Sequence, residues 1–200
     1  VNFIAGPPSN TASGNLLSAT PLSVMADGTS TGTVTVALQD ANGNATVDTV
    51  AHTIGFVHTG AGTPSATSCT IAANANPARC SITVTSTVAG AASFTATDNN
   101  GTTTQSVANG SPAVINFTAN AADPARSGVR TVSSPATANG SATDVLEAFV
   151  GDDNGNPVAG SVVTFSPTAN ITFSGTCTTN AAGTCQVTAR TTVACSYASG

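Results

Sequence analysis

A stretch of 19 residues occurs twice in this chain, and the two copies align without a gap at an offset of 112 positions. The first copy, ADGTSTGTVTVALQDANGN, covers positions 26–44, and the second, ANGSATDVLEAFVGDDNGN, covers positions 138–156. Self-similarity at a fixed long period is the sequence signature of an array of like structural units. The chain of 200 residues is therefore predicted to fold as a tandem array of two small domains.

Each copy contains a segment in which apolar and polar residues alternate. In the first copy Val34, Val36 and Leu38 fall on one face, and the other face carries threonine and alanine. Period-two alternation with a polar second face predicts a half-buried antiparallel strand. Similar short segments, including one predicted at positions 20–25, recur with turn signals roughly every 8 to 12 residues. No segment has a sustained helical period, so the chain is predicted to be all-β, with sandwich architecture and essentially no helix.

The repeat also predicts the domain boundaries. We expect residues 6–118 to form the first domain and residues 119–200 the second, which is incomplete at its C-terminal end by comparison with the first. The letters VNF at positions 1–3 echo INF at positions 115–117, where the first domain closes. Residues 1–5 are therefore predicted to be the closing strand of a preceding or neighbouring domain.

Two explanations of this arrangement stay open. Either the 200 residues belong to a longer chain, or the first strand of one copy completes the second domain of the next copy by donor-strand addition. Phe149 bears on the second explanation, because the alignment places it on the outer face of its strand, where the first copy has Ala37. The possible subunit-contact residues are Val1, Asn2, Phe3, Ile4 and Phe149.

The charge composition excludes two classes of partner. Only 6% of the residues are charged, the net charge is −5, and all four basic residues are arginines that form no cluster. Nucleic acids and anionic membrane surfaces bind to concentrated positive charge, so neither is expected as a partner. No apolar run approaches the ~20 residues of a membrane span, so this region is not expected to cross a membrane.

Four of the five cysteines form two closely spaced pairs. Ten residues separate Cys69 from Cys80, and seven separate Cys177 from Cys185. The short spacing and the equivalent placement in both copies predict two disulfides, each bridging a hairpin, in an oxidising compartment. A zinc site is disfavoured because neither pair has compact ligand spacing with a nearby histidine. Three fates stay open for Cys195: pairing with a cysteine beyond position 200, pairing with another chain, or a free thiol.

The turn DANGN at positions 40–44 and its copy DDNGN at positions 152–156 resemble the start of a calcium-binding loop. That loop requires glycine at its sixth position and glutamate at its twelfth, where this chain has alanine twice in the first copy and proline and valine in the second. Asn-Gly turn chemistry explains the same letters. We therefore predict turns that bind no metal.

The sequence presents no convincing catalytic set. Its two histidines, His52 and His58, lie on or beside one predicted strand of the first domain and have no counterpart in the second. A convergent acid, base and nucleophile cannot be assembled from the motifs present. We predict that the protein is not an enzyme, that it has no catalytic residues, and that it uses no cofactor.

Several motifs together resemble one known family. They are ADG at 26–28, DANGN at 40–44, TSTVAG at 85–90, DNGNPVAG at 153–160 and VTFS at 163–166. This set is similar to the group 1 bacterial immunoglobulin-like domains of invasin-type and intimin-type surface proteins. The resemblance implies tandem immunoglobulin-like β-sandwiches located outside the cell, on a bacterial surface.

The resemblance also implies a function. Members of this family usually serve as stalks or adhesins, so we expect a non-catalytic stalk segment of an adhesin-like surface protein. The alternative is a self-assembling subunit of an extracellular filament or sheath. The expected partners are further copies or further immunoglobulin-like repeats, together with a surface receptor that the sequence does not identify.

Overall fold

The computed structural model of the chain describes residues 1–166 and 170–194. The chain forms two compact units, residues 1–118 (unit 1) and residues 119–200 (unit 2). The described residues of each unit form two β-sheets. Among the described residues the helical structure is a single 3₁₀ turn at Pro124–Arg126, and none of these residues lie in a helix able to span a membrane. The all-β prediction is confirmed.

Unit 1 contains ten strands in two sheets. They are β1 Leu16–Thr20, β2 Ser23–Met25, β3 Gly32–Ala37, β4 His52–Gly60, β5 Thr63–Pro64, β6 Ser68–Ile71, β7 Arg79–Thr85, β8 Gly90–Asn99, β9 Thr104–Ser106 and β10 Ala113–Thr118. The first sheet has the order β1-β3-β7-β5. The second has the order β2-β10-β8-β4-β6, with β9 paired to β8.

The chain changes sheet between β1 and β2. The sequence predicts one strand at positions 20–25, but the structure ends β1 at Thr20 and begins β2 at Ser23 in the other sheet. Pro21 lies between them and has no amide hydrogen to donate to a strand ladder, so a continuous strand is disfavoured there. β2 then runs parallel to β10, whereas the other paired strands of the unit are antiparallel.

The core of unit 1 lies between the inner faces of its two sheets. β3 alternates between buried and partly exposed residues as predicted, and the long central strand β8 does the same. Phe94 of β8 is fully buried and contacts the ring of His58, with 4.8 Å between ring centroids. The other large, fully buried apolar residues are Leu17, Leu38, Val34, Val36, Ile54, Ile71, Val84, Val107 and Ile115. Aliphatic side chains therefore dominate this core.

Unit 2 has a smaller set of strands among its described residues. They are β11 Gly128–Ser133, β12 Asp144–Phe149, β13 Val162–Thr164, β14 Thr172–Phe173, β15 Thr176–Thr178 and β16 Thr184–Arg190. One sheet has the order β11-β12-β16-β14, and the other pairs β13 with β15. The register of β12 on β16 repeats that of β3 on β7, because Ala148 faces Cys185 as Val36 faces Cys80.

Residues 1–5 and Val50 lie outside the strands of unit 1. Residues 1–5 form no strand within this chain, and the side chains of Val1, Phe3 and Ile4 are exposed. Among the described residues no strand pairs with this segment, and its pairing with a preceding or neighbouring domain stays a prediction. Val50 lies in a bend before β4 and is exposed.

The packing of Phe94 gives a direct test of the core. We expect Phe94→Ala to lower the free energy of unfolding of unit 1 by about 3–5 kcal/mol, because it removes a fully buried aromatic side chain and leaves a cavity. The matched control is Val57→Ala on the neighbouring strand, whose side chain is exposed. This control should change stability by less than about 0.5 kcal/mol. Urea unfolding followed by circular dichroism measures both, and similar losses would contradict the core assignment.

Candidate functional site

Each unit contains a buried aspartate that begins the repeated Asp-x-Asn-Gly-Asn turn. In unit 2, Asp152 is fully buried and its carboxylate accepts hydrogen bonds from the amide of Asn154 at 3.0 Å and the amide of Asn156 at 2.7 Å. The side-chain nitrogen of Asn156 donates a further bond at 2.9 Å. The third turn residue after the aspartate is Gly155, whose φ of 82° is the left-handed conformation that glycine adopts without strain. The carboxylate therefore organises the turn.

Unit 1 has the same arrangement around Asp40. Its carboxylate accepts bonds from the amides of Asn42 at 2.9 Å and Asn44 at 3.0 Å, and from the side-chain nitrogen of Asn44 at 3.0 Å. The two turns thus repeat in hydrogen bonding as well as in sequence. The hydrogen-bonded carboxylate is therefore a structural feature that both units share.

The same carboxylates hold the segment by which the chain enters each unit. We define the entry segments as residues 6–15 of unit 1 and 119–127 of unit 2. The amide of Gly6 donates to Asp40 at 2.9 Å, and the amide of Asn120 donates to Asp152 at 2.9 Å. In unit 1 the hydroxyl of Thr46 also donates to the carbonyl of Gly6 at 2.7 Å. We call Asp40 and Asp152 the aspartate anchors, since each joins a turn to an entry segment.

These contacts fix the charge state of the anchors. Hydrogen bonds from Asn44 and from the amide of Gly6 hold the pKa of Asp40 well below the ordinary range of a carboxyl group. Burial raises the pKa of Asp152, but bonds from Asn156 and Asn120 outweigh it, so the pKa of this carboxyl is also lowered. The pKa of an ordinary aspartate carboxyl is about 3.9. A carboxylate whose pKa is lowered in the folded state stabilises the fold at pH values above this ordinary pKa. The stabilisation is lost as the pH falls below it, toward the folded-state pKa.

The hydrogen bonds to the anchor carboxylates are also relevant to the resemblance between these turns and a calcium-binding loop. Both oxygens of Asp40 and of Asp152 accept bonds from N–H donors of the turn and the entry segment. Within residues 1–166 and 170–194, no group of three or more histidine, cysteine, aspartate or glutamate side chains is arranged to hold a metal ion. The geometry of the anchors is that of a hydrogen-bonded turn.

The anchor of unit 2 gives a second test. We expect Asp152→Ala to lower the free energy of unfolding of unit 2 by about 2–3 kcal/mol, because it leaves buried amide donors without an acceptor. Asp153→Ala is the matched control, since Asp153 is exposed and accepts one bond from its neighbour Asn154. The control should change stability by less than about 0.5 kcal/mol. Native-state hydrogen exchange of unit 2 peptides measures both, and equal protection in the two variants would contradict the anchor role.

Two disulfides connect the sheets within the units. Cys69 is bonded to Cys80 with 5.9 Å between Cα atoms, and Cys177 to Cys185 with 5.7 Å. Cys69 belongs to β6 and Cys80 to β7, which lie in different sheets. Cys177 of β15 and Cys185 of β16 are likewise in different sheets.

This placement corrects the expectation of a bridged hairpin. Consecutive strands joined by a short loop pair with each other in a hairpin, but here the loop carries the chain from one sheet to the other. The sequence spacing is compatible with both arrangements. Each disulfide is therefore a covalent link across the sandwich rather than along one sheet.

The first disulfide gives a third test. We expect the double substitution of Cys69 and Cys80 by alanine to lower the free energy of unfolding of unit 1 by about 2–3 kcal/mol, the value for a closed loop of this length. Hydrogen exchange in unit 2 should stay unchanged, because distant sites act independently. Mass spectrometry of unreduced peptides should show both bonds in the native protein. Free thiols at Cys69 and Cys80 would contradict the assignment.

Unit 1 also contains a buried polar cluster that sequence reasoning missed. His52 and Asp98 are 2% and 3% exposed, and His52 Nδ1 lies 2.7 Å from Asp98 Oδ1. The other ring nitrogen, Nε2, lies 3.1 Å from Asp48 Oδ2. The second oxygen of Asp98 accepts bonds at 3.1 Å from the side chains of Asn10 and Asn15 in the entry segment. We call these five residues the histidine cluster.

The cluster brings together residues that are far apart in the sequence. Asp98 lies 46 positions from His52 and 88 from Asn10. Two pairs within the cluster are local in the sequence: Asp48 and His52, four residues apart, and Asn10 and Asn15, five residues apart. Burial raises the pKa of Asp48, but hydrogen bonds from His52 and from the amides of Val50 and Thr49 outweigh it and lower the pKa below its ordinary value.

The remaining predicted site residues have separate positions. Val1 to Ile4 are exposed at the start of unit 1, and Phe149, at the end of β12, is 37% exposed. Within the described residues no bond joins these two places. Cys195 lies outside the described residues.

Comparison with known proteins identifies part of the chain. Residues 126–199 match the family model of the bacterial Ig-like domain (group 1). This match lies in unit 2. A comparison with curated proteins returned no match.

Solved structures resemble nearly the whole chain. InvD of Yersinia pseudotuberculosis superposes with a TM-score of 0.66 at 20% identity, over 91% of this chain and 50% of that one. FdeC, an Escherichia coli adhesin, gives 0.64 at 21% identity, over 94% of this chain and 57% of that one. Invasin, a bacterial integrin-binding protein, gives 0.61 at 22% identity, over 96% of this chain and 36% of that one. The chain thus spans about half the length of such proteins or less, and the likeness shows the fold.

Proposed function

We propose that this chain, which contains a group 1 bacterial immunoglobulin-like domain and has the tandem β-sandwich fold of bacterial surface proteins, is a non-catalytic stalk segment of an adhesin-like protein. The observation that carries the proposal is the match of residues 126–199 to that domain family, in a chain that forms two compact units. The resemblance predicted from the sequence motifs is confirmed by this match.

Two structural features support the role of an extracellular spacer. Each unit has a disulfide between its sheets, and such bonds persist in oxidising surroundings. Each unit also has an aspartate anchor that fixes its entry segment. The inter-sheet disulfide and the aspartate anchor recur in both units. Both hold parts of the chain together within a unit, as a spacer requires.

The buried histidine does not favour an enzyme. Both ring nitrogens of His52 contact carboxylate oxygens, so neither is directed toward a substrate. A general base needs a free nitrogen within hydrogen-bond reach of the proton that it removes. We accordingly assign the histidine cluster to the fold rather than to catalysis.

We propose further immunoglobulin-like repeats as the immediate partners of this segment. Invasin is described as integrin-binding and FdeC as an adhesin. By analogy, a receptor on another cell would be a partner of the complete protein, while the described residues supply spacing. Localisation at the bacterial surface follows from the same proposal.

The stalk proposal predicts a monomer exposed on the cell. Sedimentation velocity of the purified chain should give one monomeric species over a wide concentration range. Antibodies raised against the chain should label intact cells that express the native protein. Labelling only after permeabilisation would contradict a surface location, and concentration-dependent polymers would contradict a simple spacer.

A second candidate is a filament subunit that assembles by donor-strand addition. It is favoured by one observation: Val1 and Phe3 are exposed, whereas Ile115 and Phe117, their counterparts in β10, are buried. Inserting the N-terminal segment into another copy would bury these side chains and pair its backbone. Deleting residues 1–5 should then abolish assembly measured by light scattering, while the control Asn2→Ser should not. Assembly that persists after the deletion would reject this candidate.

A further inference from the structure

The geometry of the histidine cluster imposes a condition on the protonation of His52. A carboxylate accepts hydrogen bonds and donates none, and a neutral imidazole has one N–H and one bare nitrogen. Both ring nitrogens face carboxylate oxygens, at 2.7 Å from Asp98 and 3.1 Å from Asp48. With both carboxylates ionised, only the protonated ring can donate to both. A neutral ring would place a lone pair against an oxygen that also carries negative charge.

The two contacts differ in how firmly the carboxylate is held. Asp98 is buried in β8, and its second oxygen is fixed by Asn10 and Asn15. Asp48 lies in the segment before β4, and its side chain is 24% exposed. Loss of one proton would therefore leave Nδ1–H donating to Asp98, and the contact with Asp48 would be the one that opens.

We propose that the second proton on His52 is a clasp that holds the segment of residues 45–51 against unit 1, and that loss of this proton releases the segment. The charged groups that face the ring are Asp48 from the segment and Asp98 from β8. The entry segment contributes the neutral amides of Asn10 and Asn15, and the paired residue on β6 is Ile71.

The direction of the pH effect follows from the sign of the charges. The ring donates to both carboxylates only while it carries two N–H groups, so the contact with Asp48 is present at low pH and is lost when the second proton leaves as the pH rises. This direction is opposite to that of the aspartate anchors, which weaken in acid.

Release of Asp48 would affect neighbouring contacts. The carbonyl of Asp48 accepts the amide of Asn74 at 2.6 Å, so the loop between β6 and β7 is attached to the same segment. The hydroxyl of Thr46 donates to Gly6 of the entry segment. Opening the clasp would thus loosen one end of unit 1, including the attachment of its entry segment.

The test uses the full chain, with two readouts. Nitrogen-15 NMR of the imidazole should show both nitrogens of His52 protonated at pH 5.5 and the Nδ1–H tautomer at pH 8.5. Hydrogen exchange of residues 45–51, corrected for the intrinsic effect of pH, should rise about tenfold over the same interval. Unit 2 contains no histidine and serves as the internal control. A neutral His52 at pH 5.5, or equal protection at both pH values, would overturn the proposal.

Asp48→Asn distinguishes the clasp from a purely structural role. The amide of the substituted side chain can donate to the bare Nε2 of neutral His52, so the segment should remain protected at pH 8.5. His58→Gln is the matched control and should keep the native pH dependence, because His58 Nε2 contacts the carbonyl of Ala61 outside the cluster. If Asp48→Asn keeps the native rise in exchange with pH, the proposal is wrong.

Discussion

The buried carboxylate of each Asp-x-Asn-Gly-Asn turn is the interaction on which the rest of each unit depends. An ionised group without water must be surrounded by donors, and Asp152 satisfies this requirement with backbone amides from two separate parts of the chain. The requirement fixes the turn after β12 and the path of the entry segment at the same time. One side chain thus fixes both the turn and the path of the entry segment. This double role explains why the repeat is so clear in the Asp-x-Asn-Gly-Asn sequence.

The two units share this framework but differ in their buried polar groups. The histidine cluster of unit 1 links the entry segment, the segment before β4 and the strand β8. Substitution of one side chain in such a fully hydrogen-bonded network leaves its buried partners unpaired, so few other residues are tolerated at these positions. The chain has no histidine after His58, so unit 2 must secure the corresponding region in another way. Repetition of a fold therefore leaves room for individual chemistry in each copy.

Local patterns predicted much of the fold, while interactions between distant residues escaped prediction. The alternation in β3 and the turn after it are properties of neighbouring residues, so the sequence alone was sufficient for both. The bonds between His52 and Asp98 depend on how β4 and β8 align, which no local pattern encodes. The same limit applies to the disulfides. Spacing predicted which cysteines are near each other, but whether β6 and β7 pair or face each other is decided by the whole sandwich.

The parallel pairing of β2 with β10 has a mechanical consequence. Tension that reaches the start of β2 and the end of β10 loads these two neighbouring parallel strands in opposite directions along their length. Bonds such as Asn116 N to Leu22 O and Ala26 N to Thr118 O lie across that direction and share the force. They must break together instead of opening one after another. Tension along the chain is therefore met by shear across a strand pair.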